Sequence, residues 1–252
     1  MIRLLGIRLG IMLEGVHNCD VMKILRDLPD SSVDMVYGDP DYNVGRDYHG
    51  RKFTMKWDRY IEWYIELSRE CMRVLKPHGN YLTINYPKQN SYLRVKYLDR
   101  YEVHEYVWVY NTMVGVSPRR FTTAHRSILH AMKSKGNQWF NSEVCQPYKN
   151  LNDKRIRQRM REGHKGAPRY SWLEYQMVKN TSKEKVDHSC QIPIPLFDTL
   201  LRAGTKEDDL VFILFAGSGN ECIHALKEKR RFISCEIHDE YFENAKNRIG
   251  RV

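Results

Sequence analysis

No CxxC pair and no HExxH helix occurs in this chain, so neither a clustered zinc site nor a catalytic zinc helix is expected, and no metal is called for. The six cysteines (Cys19, Cys71, Cys145, Cys190, Cys222 and Cys235) are scattered across 252 residues. That spacing does not build a disulfide scaffold, and free thiols suit a reducing cytoplasm, the expected location. No apolar run approaches the ~20 residues that a membrane-spanning helix needs. "MIRLLGIRLGIMLEG" comes nearest, but Arg3 and Arg8 interrupt it and no small-residue cleavage site follows. It is expected to be a first strand region rather than a signal peptide. Acids are in short supply: 31 Asp and Glu stand against 41 Lys and Arg, a formal charge of +10. Acidic partners are favoured, with nucleic acid first. Hydrophobic residues at 42% are enough for a real core, which excludes a wholly disordered chain.

What is present alternates between strand and helix patterns. "VDMVY" (33–37) reads as a short buried strand. Residues 58–75 carry Ile61, Tyr64, Ile65, Cys71, Met72 and Leu75 at helical spacing, and "KPHG" is expected to end that helix. "NYLTINY", "VHEYVWVY" and "RSILHAM" are strand-like. Later come a proline-opened helix in "IPIPLFDTLLRAG", a strand running into a glycine loop in "DDLVFILFAGSGN", and then helix, strand and helix to the end. Such alternation implies an α/β domain with a mostly parallel sheet. The character changes between about 141 and 187. From Lys149 to Lys185 eleven Lys and Arg face four acids, so 37 residues hold +7 of the whole charge, with Tyr148, Tyr170, Trp172 and Tyr175 interleaved. A charge run is usually a solvated face. This imbalance, with its aromatics, favours phosphate contact.

Two turns carry chemistry. In the first, "GDPDY" (38–42), the Asp39 carboxylate and the Pro40 carbonyl can each accept a hydrogen from one amino group, and Tyr42 can stack on a flat ring. These parts grip an exocyclic amine on an aromatic base and aim its lone pair, so the chemistry is positioning plus electrostatics. Asp and Pro are also ordinary turn residues. In the second, Gly217-x-Gly219 follows a strand and opens a helix, and Glu236 ends the next strand nineteen residues past Gly217. Glycine lets the backbone turn sharply beside a ligand, and an acid at that distance can accept both ribose hydroxyls of a nucleoside. No GK[ST] follows, which disfavours a phosphate loop. A plain strand–turn–helix joint with a surface glutamate has the same letters.

Taken in order along the chain, these segments resemble the beta class of amino-methyltransferases, which methylate the amino group of adenine, or sometimes cytosine, in DNA. "NCDVMKILRDLPDSSVDMVYGDPDYNVG", "CMRVLKPHGNYLTIN", "RRFTTAHRSILHAMKSK", "HSCQIP" and "FAGSGNECIHALKEKRRFISCEIHDEYFENAKNRI" are similar to successive family segments and cover nearly the whole chain. The resemblance implies a Rossmann-like methyltransferase fold with a small inserted target-recognition region, and S-adenosylmethionine as cofactor. It implies a catalytic half with the target-base motif over 1–140, a basic recognition region over 141–187 and a cofactor-binding half over 188–252. Carried over position by position, Asp39, Pro40 and Tyr42 hold the base. Gly217, Gly219 and Glu236 bind the cofactor, Phe215 lines its pocket and Asp20 approaches its adenine end. Arg155, Arg157, Arg159, Lys165 and Arg169, extended by Arg119 and Arg120, are the DNA-contacting candidates. Double-stranded DNA is the implied partner; a homodimer and a cognate restriction nuclease are compatible with the class, and no membrane is involved.

The chain departs from the family pattern at four places: Asp41 replaces the second proline of the turn, Ile213 and Leu214 replace an Asp-Pro pair, Ile192 replaces a lysine, and Asn220 replaces a threonine. Asp41 is expected to accept the amide of Asn43 in an Asx turn, doing part of the missing proline's ordering. Its carboxylate is expected to point away from the base. Three other readings remain open: a catalytically silent nucleic-acid binder, cytosine-N4 methylation, and methylation of RNA or a protein amide. Adenine is favoured because the turn starts with Asp. Ring-carbon cytosine methylation would need a Pro-Cys dipeptide, and none occurs.

Overall fold

A computed structural model of the chain describes residues 14–45, 47–48, 51–52, 54–112, 115–136, 139–178, 185–186 and 191–252. Residues 1–13, which hold most of the apolar N-terminal stretch, lie outside the described residues. Eight strands form one sheet: β1 (Gly15–Asn18), β2 (Val33–Gly38), β5 (Leu75–Asn85), β6 (Glu102–Val109), β7 (His125–Met132), β8 (Trp172–Glu174), β9 (Leu210–Ile213) and β10 (Arg231–Glu236). A two-stranded antiparallel pair, β3 (Asp47–Tyr48) and β4 (Arg51–Lys52), stands apart. Seven helices connect them: α1 (Val21–Asp27), α2 (Trp57–Val74), α3 (Pro87–Lys96), α4 (Lys154–Arg161), α5 (Ile194–Gly204), α6 (Asn220–Lys227) and α7 (Asp239–Ile249).

The strand order is β1-β10-β9-β2-β5-β7-β6-β8. Neighbours run parallel except where β7 lies antiparallel to both β5 and β6. The central strands are buried on both faces, which is why β2 reads as a continuous apolar run rather than an alternating one. Side-chain alternation divides them between two cores. Val33, Val36, Leu210, Phe212 and Ile233 pack with α1 and α2 on one face. Met35, Tyr37, Val211, Ile213 and Phe232 pack with α5, α6 and α7 on the other. This is a Rossmann-like, doubly wound α/β fold. Among the described residues no helix is long and apolar enough to cross a membrane.

One local expectation is corrected. "KPHG" does not lie between helix and strand: α2 ends at Val74, and β5 starts at once with Leu75 opposite Val33. The ladder then shifts register and resumes at Asn80 opposite Met35. The bulged residues serve the buried carboxylate of Asp34, which takes Lys76 Nζ at 2.8 Å, His78 Nε2 at 3.2 Å and the Leu210 amide at 3.0 Å. Part of the basic middle segment also joins the sheet. β8 pairs in parallel with β6, Leu173 is buried, and Trp108 Nε1 donates to the Tyr175 carbonyl at 2.7 Å.

The feature that positions a site is the junction of β9 with β2. From β9 the chain winds through α6 to β10 on one side; from β2 it winds through α2 to β5 on the other. Open α/β sheets bind ligands outside the carboxyl ends of strands at such a reversal. Tyr37 is in register with Ile213, and the Leu214 amide donates to the Tyr37 carbonyl at 2.9 Å. Both chemical turns therefore leave the sheet side by side. Gly38 is required there, because a Cβ on it would lie 2.9 Å from Leu214 Cδ1.

Candidate active site

The turn after β2 is held from several directions. Tyr42 donates its hydroxyl hydrogen to Asp39 Oδ1. The Asn43 amide donates to Asp41 Oδ1 at 2.6 Å, the Asx turn expected from the sequence. Asn43 then clamps the residues ahead of α2: its Nδ2 donates to the Met55 carbonyl at 3.0 Å and its Oδ1 accepts the Met55 amide at 2.7 Å. From α2 the Tyr60 hydroxyl donates to the Asp41 carbonyl at 2.8 Å, and from α3 Gln89 Nε2 donates to the Tyr42 carbonyl at 2.7 Å. The Tyr42 ring stands edge-on to Tyr86, with centroids 5.3 Å apart. The Arg126 guanidinium lies 3.8 Å from the Tyr86 centroid and 5.4 Å from that of Tyr42.

Burial pushes the Asp39 carboxyl up to about 7. The Tyr42 hydrogen bond and the Arg126 charge pull it back, and Asp41 adds a smaller push. Of the two geometries conceivable for Asp41, the Asx turn is the one formed. Its side chain nonetheless lines the cavity instead of pointing wholly away from it, so its charge reaches Asp39.

The second turn is folded around Glu236. Its Oε2 accepts the Gly217 amide at 2.9 Å and its Oε1 accepts the His238 amide at 2.8 Å. Burial raises this carboxyl, and the backbone donors oppose the shift. Gly219 caps α6 in the left-handed region (φ +76°), and a Cβ on it would meet Ala245 Cβ of α7 at 3.0 Å. Both conditions demand glycine. Arg248 of α7 donates to the Ser218 carbonyl and, at 2.5 Å, to Asn220 Oδ1, so the residue standing in place of a threonine secures the loop to the last helix. Asp20 caps α1, accepting the Met22 amide at 2.8 Å.

A cavity of about 530 Å³ joins the two turns, within the range of small-molecule sites. Asp20, Asp39, Pro40, Tyr42, Phe215, Gly217 and Glu236 all line it. Gly219 does not; it acts from behind, by permitting the loop to close on α7. The wall also holds Tyr37 and Glu221, which sequence reasoning did not single out. Tyr37 looked like one more residue of a buried strand, and Glu221 like a helix-face acid.

Three comparisons bear on this geometry. A sequence profile described as DNA methylase matches residues 33–247. That span takes in both turns and the basic segment. The chain belongs to the DNA methylase family. It is similar to the DNA adenine methyltransferase YhdJ of Escherichia coli (strain K12), 26% identical over 249 residues, which cover 96% of this chain and 84% of that one. It is also similar to the type II methyltransferase M.HpaI of Haemophilus parainfluenzae, 29% identical over 238 residues, covering 91% and 72%. In fold it matches the cytosine-N4-specific PvuII DNA methyltransferase with a TM-score of 0.71 at 16% identity, covering 94% of this chain and 90% of that one. The M1.HpyAVI–SAM complex matches with a TM-score of 0.61 at 24% identity, covering 92% and 98%.

As a DNA methylase the chain uses S-adenosylmethionine as methyl donor. The cavity suits that cofactor. Acids and apolar groups line it, no Lys or Arg is among its described lining residues, and the cofactor carries a permanent sulfonium charge. The DNA-contacting candidates of this methylase lie elsewhere, and none lines the cavity. Arg155, Arg157 and Arg159 project from α4, which buries no residue. Arg155 is partly occupied by Asp153, the cap of that helix, at 3.3 Å. Arg119, Arg120 and Lys165 are exposed, whereas Arg169 is half-buried. Phe121, beside Arg120, is 99% exposed, and Tyr170 stacks on an exposed Trp172 at 5.6 Å. Asp198, His224 and Glu228 have ligand atoms spaced for an ion, but they lie outside the cavity, and His224 already pairs with Asp198 at 2.8 Å.

Proposed function

We propose that this methylase transfers the methyl group of S-adenosylmethionine to the exocyclic amino group of adenine in double-stranded DNA, with Asp39, Pro40 and Tyr42 gripping the flipped base and Glu236 seating the cofactor's ribose. The observation that carries this reading is the one cavity shared by the two turns across the β9–β2 junction. The cofactor supplies an electrophilic methyl group. The chain supplies geometry. Asp39 accepts an amino hydrogen and sets the lone pair, Tyr42 offers a ring face, and the apolar wall excludes water. With its carboxyl near 7, Asp39 is also matched to take a proton from the amine at neutral pH. Extruding the base costs a few kcal/mol, repaid by stacking and by phosphate contacts. Arg119, Arg120, Arg155, Arg157, Arg159, Lys165 and Arg169 are the groups placed to make those contacts. The similarity to an adenine-specific relative supports adenine over cytosine.

The test is to express the chain in a host free of DNA methylation and sequence its DNA with modified-base detection. N6-methyladenine at one recurring sequence is the expected result. N4-methylcytosine instead would overturn the base assignment. No modification by a folded, cofactor-binding protein would make it a silent DNA binder.

A further inference from the structure

In a chain of net charge +10, five acids line the cavity: Asp20, Asp39, Asp41, Glu221 and Glu236. No Lys or Arg offsets them from the described wall. Buried carboxylates are costly unless a cation or hydrogen-bond donors meet them. Four of the five shape the protein's own backbone or turn. Asp20 caps α1, Glu236 holds two backbone amides, Asp41 holds the Asx turn, and Asp39 accepts from Tyr42. The fifth, Glu221, sits in the first turn of α6, two residues past Gly219, and is only 8% exposed.

A second group converges on the same place. Tyr37 also lines the cavity, and its buried hydroxyl has no hydrogen-bond partner among the described residues. After burial itself, the charges of Asp39 and then Glu221 push its phenol up, so the hydroxyl lies within electrostatic reach of both carboxylates. Glu221 thus stands between the glycine loop and the transfer turn. The cofactor has two cationic centres, a sulfonium and an α-ammonium. With its nucleoside end at Asp20 and Glu236 and its methyl group facing Asp39, the amino-acid arm branching from sulfur has the buried carboxylate of Glu221 to meet.

We propose that Glu221 and the Tyr37 hydroxyl hold the amino-acid end of the cofactor, Glu221 accepting hydrogen bonds from its α-ammonium group. The inference rests on the cofactor site of the proposed function and names which end of the ligand lies where. Arg248 of α7 also feels the Glu221 charge, and its guanidinium is engaged with Ser218 and Asn220. The ammonium therefore brings a cation to the cavity side, where no described Lys or Arg stands.

The test is calorimetric, with two ligands that share adenosine and sulfur. S-adenosylhomocysteine carries the amino-acid arm; methylthioadenosine does not. Glu221→Gln should weaken S-adenosylhomocysteine at least tenfold, the range of a charge-assisted hydrogen bond, and change methylthioadenosine by less than about twofold. Tyr37→Phe should show the same selectivity with a smaller loss. On the unaltered protein, an analogue lacking only the α-amino group should bind at least about tenfold more weakly than S-adenosylhomocysteine, a measurement that does not depend on how a variant folds. Equal loss of both ligands in Glu221→Gln, or no loss of either, overturns the assignment. So does equal binding of the des-amino analogue. Glu236→Ala, by contrast, should weaken both ligands alike. Failure of that control, or binding of neither ligand by the native chain, would overturn the cofactor site and this inference with it.

Discussion

The cavity and the basic segment solve opposite problems with opposite means. Asp20, Asp39, Asp41 and Glu236 are each tied by hydrogen bonds close to a strand end. On α4, by contrast, the arginines stand on a helix with no buried residue. A group that must meet a reacting atom within about half an ångström gains from being fixed before the ligand arrives. A group that neutralises phosphate gains from reach and loses little by being solvated until it meets its partner. The molecule spends its order on the cavity and leaves its charge loose at the surface.

That contrast breaks most sharply at Asp39. Asp39→Ala should lower single-turnover methyl transfer to an adenine-containing duplex by about 10²–10³-fold, the range for removing one preorganised electrostatic group, while cofactor affinity stays within a few fold. A parallel loss of affinity would mean that the turn and the cofactor loop are one unit. Glu236→Ala should come next, weakening cofactor binding by about 1.5–3 kcal/mol in calorimetry. Part of that loss reflects the Gly217 and His238 amides left without their acceptor.

The basic segment should answer to salt and not to cofactor. Neutralising Arg155, Arg157 and Arg159 together should flatten the dependence of log K on log salt by about 0.9 for every phosphate that the variant no longer neutralises, measured by anisotropy with a labelled duplex. An unchanged slope would move the DNA surface to Arg119, Arg120 and the exposed Phe121.

Acid dependence sharpens the same contrast. Asp39 works as a carboxylate, so the single-turnover rate should climb about tenfold per pH unit below its value near 7 and level off above it. Arg126 pulls that value down, so Arg126→Leu should move the limb to higher pH. An unmoved limb would assign it to another group. The smallest effect is expected at position 41. Asp41→Pro replaces one local constraint with another and should change the rate by less than about tenfold. Loss of activity in a folded, cofactor-binding variant would give the Asp41 carboxylate a direct role.

Much of the site was legible because its logic is local. The Asx bond of Asp41 spans two residues, the proline-opened helix needs only Pro195 near its start, and the glycine loop announces itself between an apolar strand and α6. The bulge in β5 was not legible, because what Lys76 and His78 answer to is Asp34, more than forty residues away in the chain. Arg126 was missed for a similar reason. It was one basic residue in a strand pattern until β7 lay next to β5 and brought it against Tyr86 and Tyr42.

The sequence by itself determined the turns, the caps, the strand and helix periods and the placement of positive charge, since each depends on neighbours a few residues apart. Only the tertiary structure decided that β2 lies beside β9, so that Asp39 and Gly217, 178 positions apart in the numbering, share one cavity, with Tyr37 and Glu221 in its wall. Strand order is a property of the whole sheet. It follows from burying both faces of every central strand under connecting helices, and no single segment carries enough buried surface to specify it alone.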